Sequence, residues 1–79
     1  MKLKKGDIIL YEDSLAGKYR YIIQFYKRID KMNIRGKCLY DNNNEGIGEI
    51  SDEFDSPEYK DKNWKVKKLT KDELFGELI

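Results

Sequence analysis

The chain has no histidine, one cysteine, one proline and one tryptophan in 79 residues, and each shortage excludes a class of chemistry. Without histidine there is no Ser-His or Cys-His nucleophile pair. With Cys38 as the lone thiol there is no intrachain disulfide and no zinc site built from Cys and His. No run of 18 apolar residues occurs, so no helical membrane span is expected. The opening Met1-Lys2-Leu3-Lys4-Lys5 lacks the apolar stretch that follows the basic start of a secretory signal. A soluble, cytoplasmic protein with no membrane partner is the expectation, and a single Cys fits a reducing compartment. Length is short as well: a second core would need roughly 50 residues of its own, so residues 1–79 read as a single domain with little room for a deep catalytic cleft.

Charge, by contrast, is plentiful and unevenly laid out. The net charge is +1, with 39% of residues charged. Residues 1–40 carry ten Lys or Arg against four Asp or Glu, residues 41–63 carry two against eight, and residues 64–79 carry four against three. A basic half is thus followed by a strongly acidic stretch, a split that either orients a partner or pairs one face of the fold with another.

The apolar pattern has period two. From Tyr19 the odd positions run Tyr19, Tyr21, Ile23, Phe25 and the even ones Arg20, Ile22, Gln24, Tyr26, Arg28, which predicts a long strand with one buried face. After the polar turn at Asp30–Asn33, a second run puts Ile34, Cys38 and Tyr40 on one face and Arg35, Lys37 and Leu39 on the other, completing a β-hairpin with a bulge or bend at Gly36. Ile8–Tyr11, Gly46–Ser51 and Trp64–Leu69 supply three shorter strands. Asp41–Gly46 and the acidic Ser51–Asn63, around Pro57, read as loops. Thr70 followed three residues later by Glu73 forms a capping box, and Leu69 and Leu74 occupy the positions of a hydrophobic staple. A short helix with an apolar stripe of Leu74, Phe75, Leu78 and Ile79 follows. The fold class is mainly β: five strands in a meander, either a bent antiparallel sheet or an SH3-like barrel, with one short C-terminal helix.

Lys5-Gly6-Asp7-Ile8-Ile9-Leu10, the long central hairpin, and Trp64–Leu69 leading into Thr70-Lys71-Asp72-Glu73-Leu74 resemble small uncharacterised phage-encoded proteins with an SH3-like core and a final strand running into a helix. The Gly-Asp opening is also similar to the KOW and Tudor-like branches of SH3-like barrels, without the further glycines of a KOW motif or an assignable aromatic cage. The resemblance implies a phage or mobile-element protein.

Three groups of residues bear on function. Cys38 shares its strand face with Ile34 and Tyr40 and reads as packing rather than as a nucleophile. The acidic stretch holds Asp52, Glu53, Asp55 and Glu58 with Phe54 and Tyr59 among them. Negative charge with apolar anchors suits docking on a partner with a basic surface, where carboxylates compete for Lys and Arg that otherwise meet phosphate. A solvated loop pinned by its two rings is the plainer alternative. The even face of the long strand and its hairpin mate present Arg20, Tyr26, Arg28, Arg35 and Lys37, a pattern that holds nucleic acid when cations meet phosphates and a ring stacks on a base, or that serves as a soluble sheet surface. No acid and base share a spacing that fixes a catalytic site, and no cofactor or metal motif is present. The sequence therefore points to a non-enzymatic protein that docks through its acidic stretch on a host or viral protein, as an inhibitor of a defence or nucleic-acid-handling complex. A nucleic-acid-binding module is the alternative, and an uncovered hairpin edge or helix stripe would add a homodimer.

Overall fold

A computed structural model describes residues 1–13 and 19–78. They form β1 (Ile8–Asp13), β2 (Arg20–Arg28), β3 (Asn33–Asp41), β4 (Ile50–Asp55), β5 (Trp64–Leu69) and α1 (Lys71–Leu78). The strands make one antiparallel sheet in the order β4-β3-β2-β1-β5. The sheet is open, so of the two expected architectures the chain adopts the bent sheet, with β4 and β5 as its edges. The expected meander holds only for the first four strands. After β4 the chain crosses the sheet and β5 pairs with β1, Tyr11 opposite Val66.

The acidic stretch was expected to be a loop, yet it is strand as far as Asp55, with Phe54 opposite Ile34 and Asp55 opposite Asn33. Its Ser, Asp and Glu residues have poor β propensity, but an edge strand tolerates charge because one side of it faces water. Only residues 56–63 form the crossover.

The long strand does not bury one face alone. Tyr21, Ile22, Ile23 and Phe25 are all buried. Ile9, Tyr11, Tyr21, Ile23, Phe25 and Ile34 form one core. Leu10, Ile22 and Leu69 form a second, on which Ile8, Leu39, Tyr40 and Leu74 pack. The predicted polar even face is therefore apolar at Ile22, because α1 lays Leu74 on that side. Burial of one Ile side chain contributes about 1.5–3 kcal/mol, enough to hold the helix there. The capping box forms as expected: Glu73 N–H donates to Thr70 Oγ1 (3.1 Å) and Thr70 N–H to Glu73 Oε1 (3.0 Å). Phe75, expected in the buried stripe, is 70% exposed; the Leu78 side chain and Ile79 lie outside the described residues.

Two β-bulges in the β2–β3 pairing break the simple alternation there. Between Ile22↔Tyr40 and Ile23↔Cys38 the β3 strand carries Leu39 as an extra residue, and between Phe25↔Gly36 and Lys27↔Arg35 the β2 strand carries Tyr26 as one. The first bulge moves Tyr40 off the Cys38 face and onto the helix side, correcting the predicted grouping. The second requires a close approach at Gly36, where a Cβ would stand 2.7 Å from the carbonyl oxygen of Gln24. Of the bulge or bend expected at Gly36, the structure has a bulge beside it, on the facing strand, with Gly36 itself in close backbone contact.

Candidate functional site

Strand β2 lies mid-sheet and sends side chains to both faces, so it anchors two hollows of opposite chemistry. On the face of the larger core, Tyr21 stacks on Tyr11 of β1 with ring centroids 4.7 Å apart and planes 6° off parallel. The same ring meets Trp64 of β5 at 5.9 Å, edge to face, and Phe54 of β4 at 6.4 Å. Phe54 and Trp64 come from opposite edges of the sheet, so their convergence on one tyrosine reflects the bend of the sheet around this face. Tyr19 closes the cluster, 5.9 Å from Trp64.

The crossover passes above these rings and brings Lys60 onto them. Its Nζ sits 4.0 Å from the Trp64 ring centroid, 5.6 Å from that of Tyr21 and 5.8 Å from that of Tyr11. It also stands 2.9 Å from Asp55 Oδ2, with the lysine side chain only 13% exposed. A cation over several ring faces is attracted by their quadrupoles, most strongly by Trp. A groove of about 370 Å³ opens beside it, walled by Tyr19, Tyr21, Phe54 and Trp64. Five carboxylates line it, from Asp41, Glu45, Glu49, Glu53 and Asp55, against the single cation Lys60.

These carboxylates are not equivalent. Asp41 is buried and accepts hydrogen bonds from the Tyr19 hydroxyl (2.8 Å) and the Asn43 backbone N–H (2.8 Å). Burial, reinforced by that bond to Asp41, pushes the Tyr19 hydroxyl up to about 12. Asp55 is engaged by Lys60. Glu45, Glu49 and Glu53 are exposed and have no ion pair among the described residues. Cys38 also borders the groove, but it is buried, its thiol donates to the Tyr40 carbonyl at 3.5 Å, and burial raises its pKa. It packs, as its strand phase implied.

Of the six residues assigned from sequence to partner contact, Glu53, Phe54 and Asp55 line the groove. Asp52 turns instead to Arg35, its Oδ1 3.5 Å from Nε. Glu58 lies in the crossover, bound by the Ser56 hydroxyl (2.6 Å) and Arg28 (2.7 Å), and these partners hold its carboxyl down to about 2. Tyr59 is exposed outside the groove. Sequence reasoning missed Tyr19, Trp64 and Lys60, because the long-range pairing of β5 with β1 is what brings Trp64 to Tyr21. Glu45 and Glu49 were signalled by the charge count but not by any motif.

The basic set is divided more thoroughly. Arg20 lies between Glu12 and Glu77. Arg28, reached after the Tyr26 bulge has reversed the phase of β2, joins Ser56 and Glu58 on the other side. Lys37 stands opposite Gln24 in the β2–β3 register. Only Tyr26 and Arg35 share a hollow, of about 570 Å³, and they do so with Lys5, Lys27 and Gln24.

Among the described residues no group of His, Cys, Asp or Glu is placed to hold a metal ion, and no helix is long and apolar enough to cross a membrane. Comparison with protein-family models, curated proteins and solved structures gave no match.

Proposed function

We propose that this chain is a non-enzymatic binding protein that docks on a basic surface of a partner protein, seating a Lys or Arg side chain in the groove between Phe54 and Trp64. The observation that carries the reading is the position of Lys60: the groove already holds one cation by the two means it would offer another, ring faces and a carboxylate. Glu45, Glu49 and Glu53 supply further negative charge at the rim, where charge steers association and sets its salt dependence. A partner surface that normally meets phosphate is the natural complement, and covering it would inhibit a host or viral nucleic-acid-handling complex.

Trp64 is the chain's one tryptophan and lines the groove, so its emission is a built-in reporter. Titration with an unstructured peptide of alternating Arg and Ser at about 50 mM salt, where screening is still weak, should change that emission saturably. The double variant Glu49→Gln, Glu53→Gln should weaken binding at least about fivefold and flatten its salt dependence. An emission unmoved by the peptide, or a double variant that binds as well as the parent, would remove the proposal.

A further inference from the structure

We infer that the hollow between the N-terminal segment, β2 and β3 is a binding site for a nucleoside phosphate, its phosphate held by Lys5, Lys27 and Arg35 and its base laid against Tyr26. The site shares no residue with the acidic groove and does not depend on the function proposed for it.

The first observation is a charge arrangement that folding alone does not favour. Lys27 and Arg35 are paired directly opposite each other in the β2–β3 register, where like charges repel. No carboxylate lines the hollow between them. Arg35 reaches Asp52 at 3.5 Å, but both side chains are largely exposed, and a screened surface pair exchanges readily for a better anion. Lys5 and Lys27 have no ion pair among the described residues.

Lys5 is brought there by backbone, not by chance of the surface. The Gly6 N–H donates to the Phe25 carbonyl at 2.7 Å and the Phe25 N–H donates to the Asp7 carbonyl at 2.7 Å. Gly6 adopts φ +97°, a left-handed turn that glycine accepts freely. This clamp fixes the N-terminal segment against β2 and makes Lys5 the third cationic wall. An anion placed among the three relieves the Lys27–Arg35 repulsion and is bound by charge-assisted hydrogen bonds, bidentate from Arg35.

The second observation is Tyr26. It is the extra residue of the bulge, and bulges re-aim side chains next to binding sites. The ring is half-buried, lines the hollow and has no hydrogen bond to its hydroxyl among the described residues. Gln24 shares the hollow, and its side-chain amide offers a donor and an acceptor for a base edge. Cations around an aromatic ring match a phosphate beside a base better than an isolated phosphate, which needs no ring. A volume of about 570 Å³ admits one nucleotide.

The nucleotide is either free or part of a single strand, and two probes separate these sources. A ten-nucleotide fluorescein-labelled single-stranded DNA is titrated by anisotropy, and AMP by amide chemical shifts. Binding by either, centred on Gly6, Gln24, Lys27 and Arg35, supports the site, and the tighter per phosphate identifies the source. For the strand, the one phosphate held among the three cations gives a log–log salt slope of about −0.7. Lys5→Gln with Lys27→Gln should weaken binding at least about tenfold and flatten that slope. Tyr26→Leu should weaken it about fivefold or more with the slope unchanged, while Tyr26→Phe, which keeps the ring, binds like the parent. Lys65→Glu, on the far edge, serves as the charge control.

Absence of binding by both probes at about 20 mM salt overturns the inference. So does a loss with Lys65→Glu equal to that with the Lys5, Lys27 pair, or indifference to Tyr26→Leu in a protein whose fold is intact. Tighter binding of phosphotyrosine than of AMP would give the hollow to peptides instead.

Discussion

Glu58 illustrates how much of this chain's charge is spent internally. Its carboxylate accepts bonds from Ser56 and Arg28, which lower its pKa from the usual 4.5 to about 2. A carboxyl depressed in the folded state adds stability that is fully present above its unfolded value and is lost as pH falls through the folded one. Glu58→Gln should therefore cost stability at neutral pH and flatten the acid limb of the stability curve between about pH 4.5 and pH 2. Urea midpoints measured across that range check it. A variant whose acid limb matches the parent would show that the Arg28 network contributes nothing there. The sequence showed Glu58 and Arg28 as members of two rival binding surfaces. Their pairing rests on a bulge at Tyr26, and a one-residue insertion that reverses side-chain phase is not visible in an alternation of letters.

Glycine provides the contrast at the level of elements. At Gly36 a methyl group would meet the Gln24 carbonyl oxygen at 2.7 Å, a backbone atom that cannot swing aside. Gly36→Ala should destabilise the β2–β3 hairpin by about 1–3 kcal/mol. Gly76, inside α1, has nothing within 4 Å of an added Cβ. Gly76→Ala should stabilise by about 0.5–1 kcal/mol, by removing glycine's entropy from a helix interior. Chemical denaturation of the two variants side by side reads both signs, and the same sign for both would refute this distinction. The helix itself was legible from Thr70, Glu73, Leu69 and Leu74, because a capping box and staple are local and fixed in spacing. Strand β4 was legible only at Ile50 and Ser51, the end of the strand expected over Gly46–Ser51, because its Asp and Glu residues are tolerated only by its position at an edge, which no local signal records.

For the whole molecule, the open bent sheet separates two hollows of opposite sign. Phe54 and Trp64 lean from its two edges over Tyr21 on one face, and Lys27 and Arg35 stand together on the other. The count of charges along the chain foretold that acid and base would be segregated. It did not foretell which carboxylates Arg20, Arg28 and Arg35 meet, nor that Tyr19 engages Asp41 and Lys60 engages Asp55, so that the groove's free charge falls to Glu45, Glu49 and Glu53. The positions of Lys60 and Glu58 depend on the crossover that the β5–β1 pairing imposes, a pairing between residues more than forty positions apart.

The most direct test of a cation-seeking groove is chemical-shift mapping of the isotope-labelled chain with the Arg-Ser peptide, compared with a Glu-Ser peptide of equal length. Saturable shifts at the Trp64 indole N–H and at the Glu49, Glu53 and Phe54 amides, with Gly6 and Lys27 unmoved and the Glu-Ser peptide inert there, are the expected result. Shifts scattered over the acidic surface without Trp64, or a response to both peptides alike, would contradict it.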